Sequence, residues 1–202
     1  MKSRHFNIIS QITFIFLLFS CVSSPETKYS SATKLREKVL KYNLQKYAEE
    51  EYNIAEQEYK EAKMLIDSKK NFKADKKLDD VNKKYQLVLD KGFPPCTEDK
   101  DKIVKEKKEI ALDIKADIAV KNEYNKAEQI YNEALDYKKN KEYEKAIDTL
   151  NMAEEQFINA YDIAEEKKIR AEKSIKSTEE AFEKIKKDAK KLEDELMNIE
   201  KK

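Results

Sequence analysis

The chain contains a copy of itself. Tyr52-Asn-Ile-Ala-Glu-Gln-Glu-Tyr-Lys-Glu-Ala62 returns 72 residues later as Tyr124-Asn-Lys-Ala-Glu-Gln-Ile-Tyr-Asn-Glu-Ala134, with eight of eleven positions identical. A period of this size signals one helical unit used twice. The residues that could break a helix are scarce: Gly92 is the single glycine, and the prolines are Pro25, Pro94 and Pro95. Apolar residues make up 40% of the chain and recur mostly three and four apart, which predicts an all-α fold rather than disorder.

The same scarcity excludes whole classes of chemistry. Phosphate-cradling loops, dinucleotide fingerprints and EF-hand loops need glycine at set points. His5 is the one histidine and falls in a segment expected to be removed, so imidazole-based catalysis and the usual zinc sites have no ligand. The 42 basic and 41 acidic residues nearly cancel, and only Arg4, Arg36 and Arg170 carry a guanidinium, so no nucleic-acid partner is expected. No catalytic residue, metal or cofactor is expected, and the protein is not expected to be an enzyme.

The N-terminus carries an address. Lys2 and Arg4 precede an apolar run from Phe6 to Phe19 that is too short to span a bilayer comfortably. The ending Leu18-Phe19-Ser20-Cys21 resembles a bacterial lipobox. That resemblance implies removal of 1–20, a lipid on Cys21, and attachment to the inner or outer membrane of a bacterial cell envelope, facing the periplasm or the surface. Phe19 departs from the usual small or aliphatic residue. Residues 21–31 read as a flexible lipidated tether. Once Lys2 and Arg4 are gone, 40 basic residues face 41 acidic ones. With Cys21 lipidated, no second cysteine remains for a disulfide with Cys96.

The body is expected as a first helical hairpin over 32–91, a Gly/Pro loop over 92–97, a second hairpin over 98–172, and a C-terminal heptad helix over 173–202. Ser30 or Ser31 is the expected first cap, followed by a helix over 34–69 and a second from about Phe72 to Asp90. Gly92 with Pro94-Pro95 reads as a helix terminus. Thr97 is the expected cap of a third helix reaching Lys139, and a fourth begins near Glu142. Ser177-Thr-Glu-Glu180 reads either as a capping box or as mid-helix. Beyond it Phe182, Ile185, Ala189, Leu192, Leu196 and Ile199 alternate three and four apart. That is a heptad seam, packed either on the chain's own helices or on a second copy in a homodimer. The tyrosines recur with the repeat and read as core.

The second hairpin resembles a tetratricopeptide motif. Ile130, Ala134, Tyr137, Ala146, Leu150 and Ala153 fall at that family's large and small positions, and residues 140–146 resemble its turn. Glu133 and Ile158 depart from it. The first hairpin, with Ala62, Leu65, Ala74, Leu78 and Val81, matches more loosely. The resemblance implies a partner groove on the first helix of the unit, with Asn125, Gln129 and Asn132 as candidate lining residues. A lipidated, lysine- and asparagine-rich chain with almost no glycine also resembles spirochaete lipoproteins of the borrelial kind. The expected role is a membrane-anchored, non-catalytic scaffold for an unnamed protein partner. The alternatives are a self-associating coiled-coil spacer and a surface-exposed binder of host ligands.

Overall fold

The computed structural model describes the backbone of residues 24–200 and the side chains of residues 24–194. Cys21, the lipobox and the apolar run before it lie outside the described residues. Among the described residues there is no strand, and the all-α class expected from periodicity holds. The helices are α1 (Pro25–Lys41), α2 (Glu49–Asp67), α3 (Asn71–Asp113), α4 (Ala116–Ala119), α5 (Lys121–Lys139) and α6 (Tyr143–Glu200), with a 3-10 turn at Leu44–Lys46 after α1. No described helix is long and apolar enough to cross a membrane.

The chain divides into two units, one ending at Cys96 and one beginning at Thr97. The division falls inside α3, and it explains the period. Moving Pro25, Glu49 and Asn71 by 72 positions gives 97, 121 and 143, the starts of the corresponding stretches in the second unit. The repeated object is therefore three helices. The hairpins α2–α3 and α5–α6 are present, and each is preceded by a further helix of its own unit, α1 or residues 97–113 of α3.

Local chemistry repeats with the same offset. Asn43 and Lys115 both take left-handed backbone, φ 53° and 63°, and so do Lys69 and Lys141, φ 55° and 60°. After α2, Lys70 N–H donates to Leu65 O and Lys69 N–H to Ile66 O. After α5, Glu142 N–H donates to Tyr137 O and Lys141 N–H to Lys138 O. Both are Schellman caps, made here with lysine where glycine is usual.

The two cores match position by position. Ala55, Ala62, Ala74, Leu78 and Tyr85 in the first unit correspond to Ala127, Ala134, Ala146, Leu150 and Phe157 in the second, and all are buried. Alanines at the contacts let the helices approach closely, and the larger residues fill the space between them. Ion pairs tie the first helix of each unit to the second at equivalent places, Arg36–Glu56 and Lys108–Glu128.

Five expected boundaries differ. Residues 25–31 are helix rather than tether: Ser24 Oγ accepts from Thr27 N–H, Pro25 opens the helix, and Tyr29 stacks on Tyr59 at 5.0 Å. The expected helix over 34–69 breaks at 42–48, where Asn43 turns left-handed and Leu44 enters the core. The expected loop at 92–97 is helical, with Pro94 and Pro95 inside α3. Each proline removes an N–H and costs a helix about 3 kcal/mol. Packing around them opposes that cost: Phe93 meets Tyr42 at 5.4 Å, and Cys96, half-buried, donates from Sγ to Tyr42 O at 3.6 Å. The expected helix from Thr97 to Lys139 is instead three, interrupted at Lys115 and Val120. Residues 173–200 are not a separate element but the far part of the 58-residue α6, which contains Ser177–Glu180 in mid-helix.

Candidate interaction surface

Two polar clusters link helices within the units, one part-buried and one buried. In the first unit Glu56 accepts from Arg36 and from the Tyr85 hydroxyl, 2.6 Å away. Burial works against the Glu56 charge, but the bonds from Arg36 and Tyr85 prevail and hold its pKa below the ordinary carboxylate value. Burial and the same carboxylate push the Tyr85 phenol up. In the second unit Asp101, almost wholly buried, accepts from Tyr131 Oη at 2.7 Å, Lys138 Nζ at 2.7 Å and Lys105 Nζ at 3.2 Å. Burial opposes its charge here too, and the three donors outweigh it, leaving the pKa lowered. These carboxylates are held ionised between helices by donors from their own unit, which is the arrangement of a structural crosslink. Among the described residues no group of three or more His, Cys, Asp or Glu side chains is placed to hold a metal ion.

Asn125, Gln129 and Asn132 lie on α5 at four- and three-residue spacing, so they share one face, and all three are exposed. None lines a described cavity. The structure places them together as an exposed polar strip along α5.

A depression that periodicity did not reveal lies in the second unit. Ile110, in the last turn of α3, and Ile114, just beyond it, face Tyr161, Lys168 and Ile169 of α6 across it. The corresponding place in the first unit is filled, because Ile114 and Glu165 stand where that unit has the paired rings of Tyr42 and Phe93. Only comparison of the two units position by position could have found it from sequence.

Among the described residues, a run of exposed large apolar side chains lies along α6. Its buried positions Leu150, Phe157 and Ala164 recur every seven residues, and Ala164 is the last buried one among the described residues. The same column continues as Ala171, Thr178, Ile185 and Leu192, all exposed. Beside it run Ile175, Phe182 and Ala189. Ile175 is 58% exposed, Phe182 65%, Ile185 66% and Leu192 60%. The helix thus carries its inward-facing pattern past its last described neighbour. Of the two expected placements of the seam, packing on the chain's own helices does not occur for Phe182, Ile185, Ala189 and Leu192. The side chains of Leu196 and Ile199 lie outside the described residues.

No known family model matches the chain, and no curated protein or solved structure was found similar to it.

Proposed function

We propose that this protein is a non-catalytic assembly scaffold of the bacterial cell envelope, held to a membrane by a lipid on Cys21. The observation that carries the reading is the helix that leaves the second unit with Ile175, Phe182, Ile185 and Leu192 uncovered. A soluble surface does not keep four large apolar residues in register along one helix face without a partner to bury them. The second unit, closed by its internal ion pairs and tightly packed alanines, is the base from which that helix extends. Lipidation follows from the lipobox-like Leu18-Phe19-Ser20-Cys21, and the cell envelope follows from lipidation.

Two measurements test this. Metabolic labelling with a fatty-acid analogue is expected to mark the wild-type protein and not Cys21→Ser; equal labelling of both removes the anchor. Cross-linking of intact envelopes, followed by purification, is expected to yield adducts through α6 that Phe182→Glu abolishes. Adducts indifferent to that change would remove the scaffold surface.

A further inference from the structure

The exposed seam of α6 has a charge pattern that distinguishes between partners. Its core column positions are Ile175, Thr178, Phe182, Ile185, Ala189 and Leu192, and the residues flanking them are Glu172, Ser174, Glu179, Ala181, Lys186, Asp188 and Glu193. In a two-stranded coil the flanking residues decide orientation and register, because opposite charges facing across the seam attract and like charges repel.

A parallel, in-register pair fails that test. It sets Asp188 of each copy against Glu193 of the other and leaves Lys186 facing Ala181, with no acid to meet. Antiparallel registers differ among themselves. One sets Lys186 against Lys186 of the second copy, and another draws Lys168 into the seam opposite Leu192. A third avoids both. It faces Ile175 with Leu192, Thr178 with Ala189 and Phe182 with Ile185, each twice by symmetry, so all six described seam residues are buried at once. It also brings Glu179 of each copy to Lys186 of the other on both sides of the central Phe182–Ile185 layers. The like-charged Glu172 and Glu193 meet only at the two solvated ends. The seam's one polar member is compatible with burial there: Thr178 Oγ1 donates back to Ser174 O at 2.8 Å, so its hydroxyl is satisfied within its own helix and its methyl is left for the seam.

We propose that the α6 stripe is covered by the same stripe of a second copy of this chain, antiparallel, with Ile175 opposite Leu192 and Phe182 opposite Ile185. The inference rests on the scaffold reading above and names the partner of its surface. The pairing is two-fold and self-complementary, so it closes as a dimer and does not propagate. The contact is about 27 Å long at 1.5 Å per residue. Contacts of that size belong to the weaker, exchangeable class, and anchoring both copies in one membrane raises their effective concentration.

The test uses full-length, membrane-anchored protein with Cys96→Ser as background. Two differently tagged copies are co-expressed, one with Ile175→Cys and one with Leu192→Cys, and membranes are oxidised. Mixed adducts between the tags are expected to dominate. Adducts within one tag, the signature of a parallel pair, would overturn the proposal, as would a failure of both. Charge exchange gives a second readout on surface residues that do not affect folding. Glu179→Lys is expected to weaken self-association about tenfold, because two attractive pairs become repulsive. Adding Lys186→Glu is expected to restore it, since the exchanged charges still meet. A single change without effect, or a double change without rescue, overturns the register. Adducts of α6 with a different protein, lost in Phe182→Glu, would sink the self-pairing and leave the scaffold standing. No adduct of any kind through α6 would sink both.

Discussion

Leu44 and Gly92 occupy one close contact: a Cβ placed on Gly92 would stand 2.8 Å from Cβ of Leu44. In the second unit the corresponding residues are Ala116 and Ala164, both buried. The first unit fills the space from one side with a leucine, and the second fills it from both sides with alanines. The single glycine of the chain is therefore a packing residue in mid-helix, with no positive φ to require it.

That exchange predicts strong coupling. Gly92→Ala gains helix propensity but overpacks against Leu44, with a net loss of about 1–3 kcal/mol. Leu44→Ala alone leaves a cavity and costs about 2–4 kcal/mol. The double variant reproduces the second unit's solution and is expected to lose less than the sum by more than 1 kcal/mol, on the order of measured couplings between touching residues. Urea titration of the four proteins checks this, and additive losses would refute the shared contact.

Lys69 and Lys141 hold left-handed backbone that costs a side-chain-bearing residue roughly 1 kcal/mol. Lys69→Gly and Lys141→Gly are each expected to raise the unfolding midpoint, by a stability gain of about 0.5–1 kcal/mol. A loss at either position would mean the lysine side chain contributes more than its backbone costs.

Asp101 makes stability depend on acid pH. Its folded pKa lies below the ordinary carboxylate value, so its contribution is complete above the unfolded value near 3.8 and disappears as pH falls through the lower folded one. Asp101→Asn is expected to cost about 1–3 kcal/mol at pH 7, because it removes the charged acceptor shared by Tyr131, Lys105 and Lys138, while Lys138 keeps its pair with Glu98 at 2.9 Å. It is also expected to flatten the stability profile below pH 4. Thermal unfolding from pH 2 to 7 reads both effects, and an unchanged acid limb in the variant would show that Asp101 is not the group titrating.

The part of α6 past Glu172 is expected to add nothing to the stability of the second unit, since every described side chain beyond Ala164 is exposed. A chain ended after Lys173 should keep its melting temperature within about 2 °C, a shift that corresponds to less than 1 kcal/mol for a protein this size. A drop of 10 °C would mean the segment packs back on the bundle.

Much of this was legible in the residues. Tyr52–Ala62 and Tyr124–Ala134 announced the repeat, the stripe through Ala146, Leu150 and Ala153 announced the buried face of α6, and the break expected around Ser68 to Asn71 is a turn that exists. That the first helix of each unit belongs to the repeat was not legible, because its residues diverge where the hairpins do not. Ala32 faces the first core and Val104 the second, and Tyr29 stacks where Asp101 takes hydrogen bonds. Such pairs keep the shape of the interior without keeping letters. Gly92-Phe-Pro-Pro misled for the opposite reason: strong local breakers were overridden by the packing of Phe93 and Cys96 on Tyr42.

The sequence by itself determined the class of the fold, its period and the seam on α6, because each depends on spacing along one helix and spacing is a local property. The tertiary structure decided where helices end, why the one glycine sits beside Leu44, and that the described part of the seam beyond Ala164 is uncovered. Those depend on which surfaces lie opposite one another. A stripe of apolar residues reads the same whether a neighbour covers it or solvent does.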